Sequence, residues 1–393
     1  MFLIILLVVA VGILNFFYLL PPVINWDEGT HALWGFKEWM ALRSGDFHLF
    51  WQLSRDQFSY PPLGSWLIAL TNLPSEFSLN LARFSSTLGF IGGGILLWMV
   101  AKELNKSNKT NKTNWTSWIA LFLFLSSPAI LFYSVTVFKE SWGMALTLLT
   151  LYLYFVSVRK RKLIYYLLTG LILTGLFFLK YNYAVLLGLV LGLEAIVEGL
   201  LIVLKPFNTN SKFEARNPKQ IPNYNSQNSK FFKNLNLGHL ILFRHSDFGF
   251  RIFFLRQLVL FLPLLLFAFW WILTPDNKLL QFLAIMRSDW NPVTVGMGNS
   301  WQYLTFFVQS LRVSYVFSDV LFLLLVVGYL LAVKDLWQKK IRILWLFFTI
   351  NFVLGTLHAI NLQDRYILTS VPALLLIVGY EFSHLAGPVG RLV

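Results

Sequence analysis

Ten stretches of nearly unbroken hydrocarbon constrain this chain more than anything else in it. They lie at about 2–20, 82–101, 117–136, 140–158, 163–180, 183–204, 257–274, 313–333, 342–360 and 366–386. A helix rising ~1.5 Å per residue over such a stretch crosses the ~30 Å apolar layer of a bilayer. Inside that layer every backbone N–H and C=O must be satisfied by the chain itself, which favours helices. The expected fold is therefore all-α and integral to a membrane, with about ten transmembrane helices in one polytopic domain over 1–393. Composition agrees: 57% of residues are hydrophobic and 13% charged, against about 25% charged in soluble domains. The first run lacks a basic leader and a small-residue cleavage site, so it is expected to be a retained helix rather than a signal peptide. With no cysteine in the chain, disulfides, thiolate metal sites and a cysteine nucleophile are excluded.

The formal charge of +14 on its own would fit a nucleic-acid binder, but its placement argues otherwise. With the N-terminus in the cytoplasm, the inner side holds 22 of the 32 Lys and Arg and 7 of the 18 acids; the outer side holds 10 and 11. That is the positive-inside pattern. It accounts for the net charge with membrane lipids as the partner and no nucleic acid, and it leaves both termini cytoplasmic. The inner loop 205–256 is basic and turns amphipathic from Leu235, as expected of a linker followed by an interfacial helix on anionic lipid. The inner loop 102–116 repeats Asn-x-Ser/Thr at Asn105, Asn108, Asn111 and Asn114; on that side it reads as a polar linker. Two further apolar stretches, 61–73 and 300–312, are too short to span. They read as juxtamembrane helices in the first outer loop, 21–81, and at the end of the outer loop 275–312.

Polar residues that could do chemistry gather at the outer helix ends. Ionisable groups at the bilayer centre cost ~2.5–3.5 kcal/mol each on insertion scales, so their placement carries functional weight. Asp27 and Glu28 follow the first helix. Adjacent acids there suit a general base or a divalent-metal ligand, and equally a solvated helix N-terminus. A helix starting at Asp27 is expected to place Ala32, Leu33, Phe36 and Met40 on one face. Arg83, at the head of the second run, is either a phosphate ligand or a snorkelling cation. Glu140, after Lys139, and Lys180, before Tyr181, both suit the helix ends they occupy. Asp364-Arg365-Tyr366 opens the last run. The sequence contains no His-Glu-x-x-His, no Asp-x-Asp and no glycine-rich phosphate loop; no metal site is assigned, although paired acids are compatible with a divalent ion. Gly92-Gly93-Gly94, inside the second run, reads as a close-packing surface.

Several of these signals fall in a familiar order. Trp26-Asp27-Glu28 follows the first helix, and Tyr60-Pro61-Pro62-Leu63-Gly64-Ser65-Trp66-Leu67 follows on a short helix. Ala82-Arg83-Phe84-Ser85-Ser86 opens the second run. Ser127-Pro128 and Tyr133-Ser134 precede Glu140, Phe178-Leu179-Lys180-Tyr181 ends the fifth run, and Arg365-Tyr366 with Pro372 opens the last. Over nearly its whole length the chain resembles the GT-C membrane glycosyltransferases, in the branch of the protein O-mannosyltransferases and lipid A aminoarabinose transferases. The resemblance implies transfer of a sugar from a polyprenyl-phosphate carrier to a lipid, glycan or protein acceptor on the outer face of a prokaryotic plasma membrane. It implies Asp27 as the catalytic acid/base, with Glu28 beside it and Glu140 as a second acid. Arg83, Lys180 and Arg365 would face the donor phosphate, and His31, Tyr60, Tyr181 and Tyr366 would contact substrate. One departure is Tyr60, which stands where relatives often carry Lys or His. The competing readings are a flippase for lipid-linked sugars, which needs charges along a path through the bilayer, and an inactive assembly partner.

Overall fold

A computed structural model describes residues 1–21, 26–57, 61–106, 115–204, 237–273, 300–315, 318–358 and 365–389. Among them there is no strand. Helices α1 (Phe2–Tyr18), α2 (Trp26–Arg43), α3 (Phe47–Asp56), α4 (Leu63–Asn72), α5 (Leu79–Asn105), α6 (Trp115–Leu125), α7 (Pro128–Tyr133) and α8 (Glu140–Lys160) come first. Then follow α9 (Leu163–Leu179), α10 (Tyr181–Leu204), α11 (Leu237–Ile272), α12 (Ser300–Val313), α13 (Asp319–Leu331), α14 (Lys339–His358), α15 (Arg365–Leu368) and α16 (Val371–Val389).

Among the described residues helices lie within all ten apolar runs, the last run being divided between α15 and α16. Four are long and apolar enough to cross a membrane among the described residues: α5, α8, 181–202 of α10 and 251–272 of α11. The run at 117–136 is not one helix. It breaks after Leu125, where Ser127 takes an extended conformation (φ −74°, ψ 117°) and Pro128 opens α7. A proline disfavours the helical region for the residue before it and fits the first turn of a new helix. The break turns residues 134–139 into a non-helical bridge leading to α8, and the site is built on that bridge.

The chain divides into two compact units, one of Met1–Leu191 with Val259–Val393, the other of Gly192–Leu258. The smaller unit joins the end of α10 to the start of α11; in it Gly199 leaves room for the Phe253 ring. In the larger unit α5 packs along α8, α8 on α9, α6 on α16, and α1 on α5. Phe90, Leu97, Phe124, Leu148, Tyr154 and Leu176 fill the centre. The glycine run is a packing surface as expected, with Gly94 against Val8 of α1 and Gly93 against Phe124 of α6. The decisive close approach is at Gly89: a Cβ there would lie 2.8 Å from the Trp142 backbone nitrogen. The head of α8 therefore sits directly on α5.

Between α1 and α5 the chain folds into α2, α3 and α4. Asp46 caps α3 by accepting from Leu49 N at 2.8 Å. Ser78 caps α5 by accepting from Leu81 N at 3.2 Å. Each satisfies an orphan N–H of a first turn. Helix α2 packs on α3 and α4, and α4 on α5.

Candidate functional site

The four residues expected on one face of α2, Ala32, Leu33, Phe36 and Met40, do not share one environment. Leu33 and Met40 are 52% and 44% exposed, whereas Glu28, His31, Ala32 and Glu38 are buried. These four recur at helical spacing and face α4, α5 and the 134–139 bridge. Their burial has a physical basis: a membrane protein can leave apolar side chains on its surface, and charged groups inside are retained where other charges and hydrogen bonds meet them.

Glu28 shows how. Its Oε1 accepts from Arg83 Nε at 2.7 Å and its Oε2 from Arg83 Nη2 at 3.0 Å, a fork-to-fork pair. Oε1 also accepts from the Val137 backbone N–H at 3.0 Å. Arg83 Nη1 donates to the Pro21 carbonyl at 2.7 Å. One buried ion pair thus ties Pro21 after α1, the first turn of α2, the head of α5 and the bridge. Asp27, one residue back, is partly exposed on that same first turn.

The bridge carries the second cluster. Ser86 Oγ donates to the Phe138 carbonyl at 3.1 Å and Thr87 Oγ1 to the Ser134 carbonyl at 2.9 Å, so α5 holds the bridge along its length. At its end Lys139 caps α8 and Glu140 is the first helical residue. Lys180, between α9 and α10, donates to Glu140 Oε1 at 3.1 Å. The Tyr183 hydroxyl stands 3.2 Å from Lys180 Nζ and donates to Glu140 Oε1 at 3.3 Å. Lys180 Nζ also lies 4.8 Å from the centre of the Tyr183 ring. Lys139 Nζ donates to the Pro61 carbonyl at 3.2 Å. Lys139 and Lys180 thus flank Glu140 at the head of α8.

A cavity of about 10 Å³ lies between the clusters, lined by His31, Gly64, Ser85, Ser86, Lys139 and Trp142. That is room for a single water at most. Of the residues expected at the site, Glu28, His31, Arg83, Glu140 and Lys180 converge on the bridge or the elements bound to it, with Asp27 on the adjoining turn. The Tyr181 hydroxyl accepts from Trp271 Nε1 at 2.8 Å and so is directed at α11. Tyr60 and the side chains of Arg365 and Tyr366 lie outside the described residues. The backbone of α15, which Arg365 opens, packs against α8, and Thr369 just beyond it approaches Gly143 of α8.

Metal coordination by paired acids meets an obstacle here: Arg83 engages both oxygens of Glu28, so Asp27 and Glu28 do not present two carboxylates to one ion. Among the described residues no group of three or more His, Asp or Glu side chains is placed to hold a metal.

The sequence reading missed Glu38, Gln57, Ser65 and Tyr183. Glu38 falls on the stripe that includes Glu28 and His31, and Tyr183 lies one turn beyond Lys180. Helical spacing from the recognised residues would have found both.

This all-α bundle shares its fold with solved GT-C membrane enzymes. The comparison with solved structures gives the particulars. ArnT from Cupriavidus metallidurans, bound to undecaprenyl phosphate, superposes with a TM-score of 0.59 at 14% identity, covering 98% of this chain and 62% of that one. The apo oligosaccharyltransferase of Archaeoglobus fulgidus matches at 0.57 and 12%, covering 98% and 50%. The oligosaccharyltransferase AglB of Archaeoglobus fulgidus, in complex with an inhibitory peptide and a dolichol-phosphate, matches at 0.52 and 12%, covering 99% and 51%. This chain thus spans between 50% and 62% of the length of these proteins. No protein-family model and no curated protein sequence matches it.

Proposed function

We propose that this protein is a membrane glycosyltransferase that moves a sugar from a polyprenyl-phosphate carrier to a lipid, glycan or protein acceptor at the outer face. The observation that carries this reading is the convergence, on one non-helical bridge, of a locked acid–arginine pair beside Asp27 and a lysine-rich cluster at the head of α8. The fold supports it: solved proteins of this architecture include one bound to undecaprenyl phosphate and one in complex with a dolichol-phosphate.

In this reading Asp27 accepts the proton of the acceptor hydroxyl or amine as that group attacks the anomeric carbon. The new bond forms to that carbon while its bond to the phosphate oxygen breaks, with inversion. The electron pair leaves on polyprenyl phosphate, whose growing charge needs fixed cations. Lys180 supplies one, oriented by Glu140 and Tyr183, and Arg365 at the head of α15 supplies another. Glu28 and Arg83 hold the turn that carries Asp27, which makes Arg83 a positioning residue as much as a phosphate ligand. His31, Tyr60, Tyr181 and Tyr366 are assigned to the walls of the substrate site.

The test is release of labelled sugar from a panel of polyprenyl-phosphate donors by the protein in proteoliposomes, with lipid, glycan and peptide acceptors supplied. Sugar transfer to an acceptor is expected. Movement of the intact donor between leaflets, with no transfer across the panel, would replace this reading with the flippase.

A further inference from the structure

Glu38 sits where the sequence offers no motif. It is fully buried on the inner face of α2. Its Oε1 accepts from Gln57 Nε2 at 2.7 Å and from Ser54 Oγ at 3.1 Å. Its Oε2 has no hydrogen-bond partner among the described residues. Gln57 Nε2 also donates to Ser65 Oγ at 2.6 Å, and Trp66 Nε1 to Ser54 Oγ at 2.7 Å. One carboxyl therefore fastens α2, α3 and α4 together. The same start of α4 carries Lys139: a Cβ on Gly64 would lie 2.6 Å from Lys139 Cε, so the lysine stem lies flat on the glycine. Lys139 is 5% exposed. A buried acid from α2 and a buried amine from the head of α8 thus flank adjacent residues of α4, Glu38 reaching Ser65 by way of Gln57 and the Lys139 stem lying on Gly64, and the amine belongs to the same cluster as Lys180.

We propose that Glu38 is a positioning residue that acts through Lys139, the two forming a buried acid–base pair whose protonation decides whether Lys139 presents a cation to the site. What that cation does rests on the glycosyltransferase reading. Burial pushes the Glu38 carboxyl up to about 7, against the neighbouring Ser65, Ser54 and Gln57 polar groups and the charge of Lys139. Burial pushes the Lys139 amine down to about 7; Lys180 adds to the effect, and Glu140 and Glu38 oppose it. The charged groups facing the pair are thus Lys180 between α9 and α10 and Glu140 on α8, with His31 of α2 on the same small cavity. An ionised Glu38 favours the charged amine. Glu38→Gln copies the protonated acid and withdraws that support, so Lys139 loses its proton at lower pH.

Two readouts test this. The first is the infrared C=O band of protonated carboxyls in purified protein, followed through neutral pH. A band that disappears around pH 7 in the wild type is expected. It should be missing in Glu38→Gln and should persist to higher pH in Lys139→Met. The second is the pH profile of sugar transfer. In Glu38→Gln the alkaline limb should move to lower pH while kcat/KM on the acid side holds, and adding Lys139→Arg should restore the alkaline rate. Absence of the band, a band indifferent to Lys139→Met, or an unmoved alkaline limb overturns the proposal. The expected infrared behaviour in a wild type that transfers no sugar would sustain the pair and refute the glycosyltransferase reading instead.

Discussion

The Glu28–Arg83 pair gives the sharpest quantitative expectation. The side chains are 1% and 4% exposed and joined by two hydrogen bonds of 2.7 and 3.0 Å. Removing one partner strands the other charge in a buried site, at a cost of about 3–5 kcal/mol. Glu28→Gln keeps an acceptor for the Val137 N–H, so its cost isolates the stranded guanidinium. Arg83→Met strands the carboxylate, for which the Val137 N–H compensates only in part. Each single variant should therefore lose about 3–5 kcal/mol, a hundred-fold to several-thousand-fold shift in the folding equilibrium. The double variant strands no charge and should be more stable than either single one, which is a strongly non-additive cycle. The assay is reversible unfolding of the purified protein in mixed micelles, with all four forms measured side by side. Singles within about 0.5 kcal/mol of wild type, the range usual for unremarkable surface positions, would refute the pair as the clamp on α2. Additive losses in the double variant would do the same.

Three other expectations follow from single contacts. Gly89→Ala puts a methyl 2.8 Å from the Trp142 backbone nitrogen and should cost about 1–3 kcal/mol by overpacking, seen as a lowered unfolding midpoint. Gln57→Leu leaves Glu38 Oε1 with only the Ser54 hydroxyl and should destabilise by about 1–3 kcal/mol in the same assay. Tyr183→Phe removes the hydroxyl beside both Lys180 and Glu140; a loss of about 1 kcal/mol should appear as weaker retention of polyprenyl phosphate, read by direct binding, with the fold intact.

The bundle was legible because a bilayer leaves a chain few choices. Runs such as 82–101 and 163–180 announce their helices by length and grease alone, and the short stretch at 61–73 announced α4 by being too short. The break at Ser127-Pro128 was written in the sequence too, but a hydrophobic window passes over one proline in an apolar run. Residues 134–139, which that break frees, have no periodicity to read. Local order also served for the site residues: Asp27, Glu28, Arg83, Glu140 and Lys180 all stand at helix ends. What order along the chain does not carry is pairing. Arg83 meets Glu28, 55 positions away, because α2 folds back on the head of α5, and Lys180 meets Glu140, 40 positions away, because α9 returns along α8. The face expected to gather Ala32, Leu33, Phe36 and Met40 is split, because Ala32 shares the buried stripe with Glu28, His31 and Glu38 while Leu33 and Met40 stay exposed, and no apolar pattern in the sequence marks Glu38.

Asp27 is the residue on which the proposed chemistry turns. The most direct measurement is a single-turnover assay in proteoliposomes, following formation of free polyprenyl phosphate from a labelled donor by wild type and by Asp27→Asn. Asparagine matches the carboxylate in size and cannot accept the acceptor's proton, so the wild type should release polyprenyl phosphate in step with sugar transfer. The variant should retain donor binding but slow by roughly 10²–10⁴-fold, the contribution typical of a general base. Equal rates for the two proteins would contradict the assignment of Asp27 and, with it, the site built around the bridge.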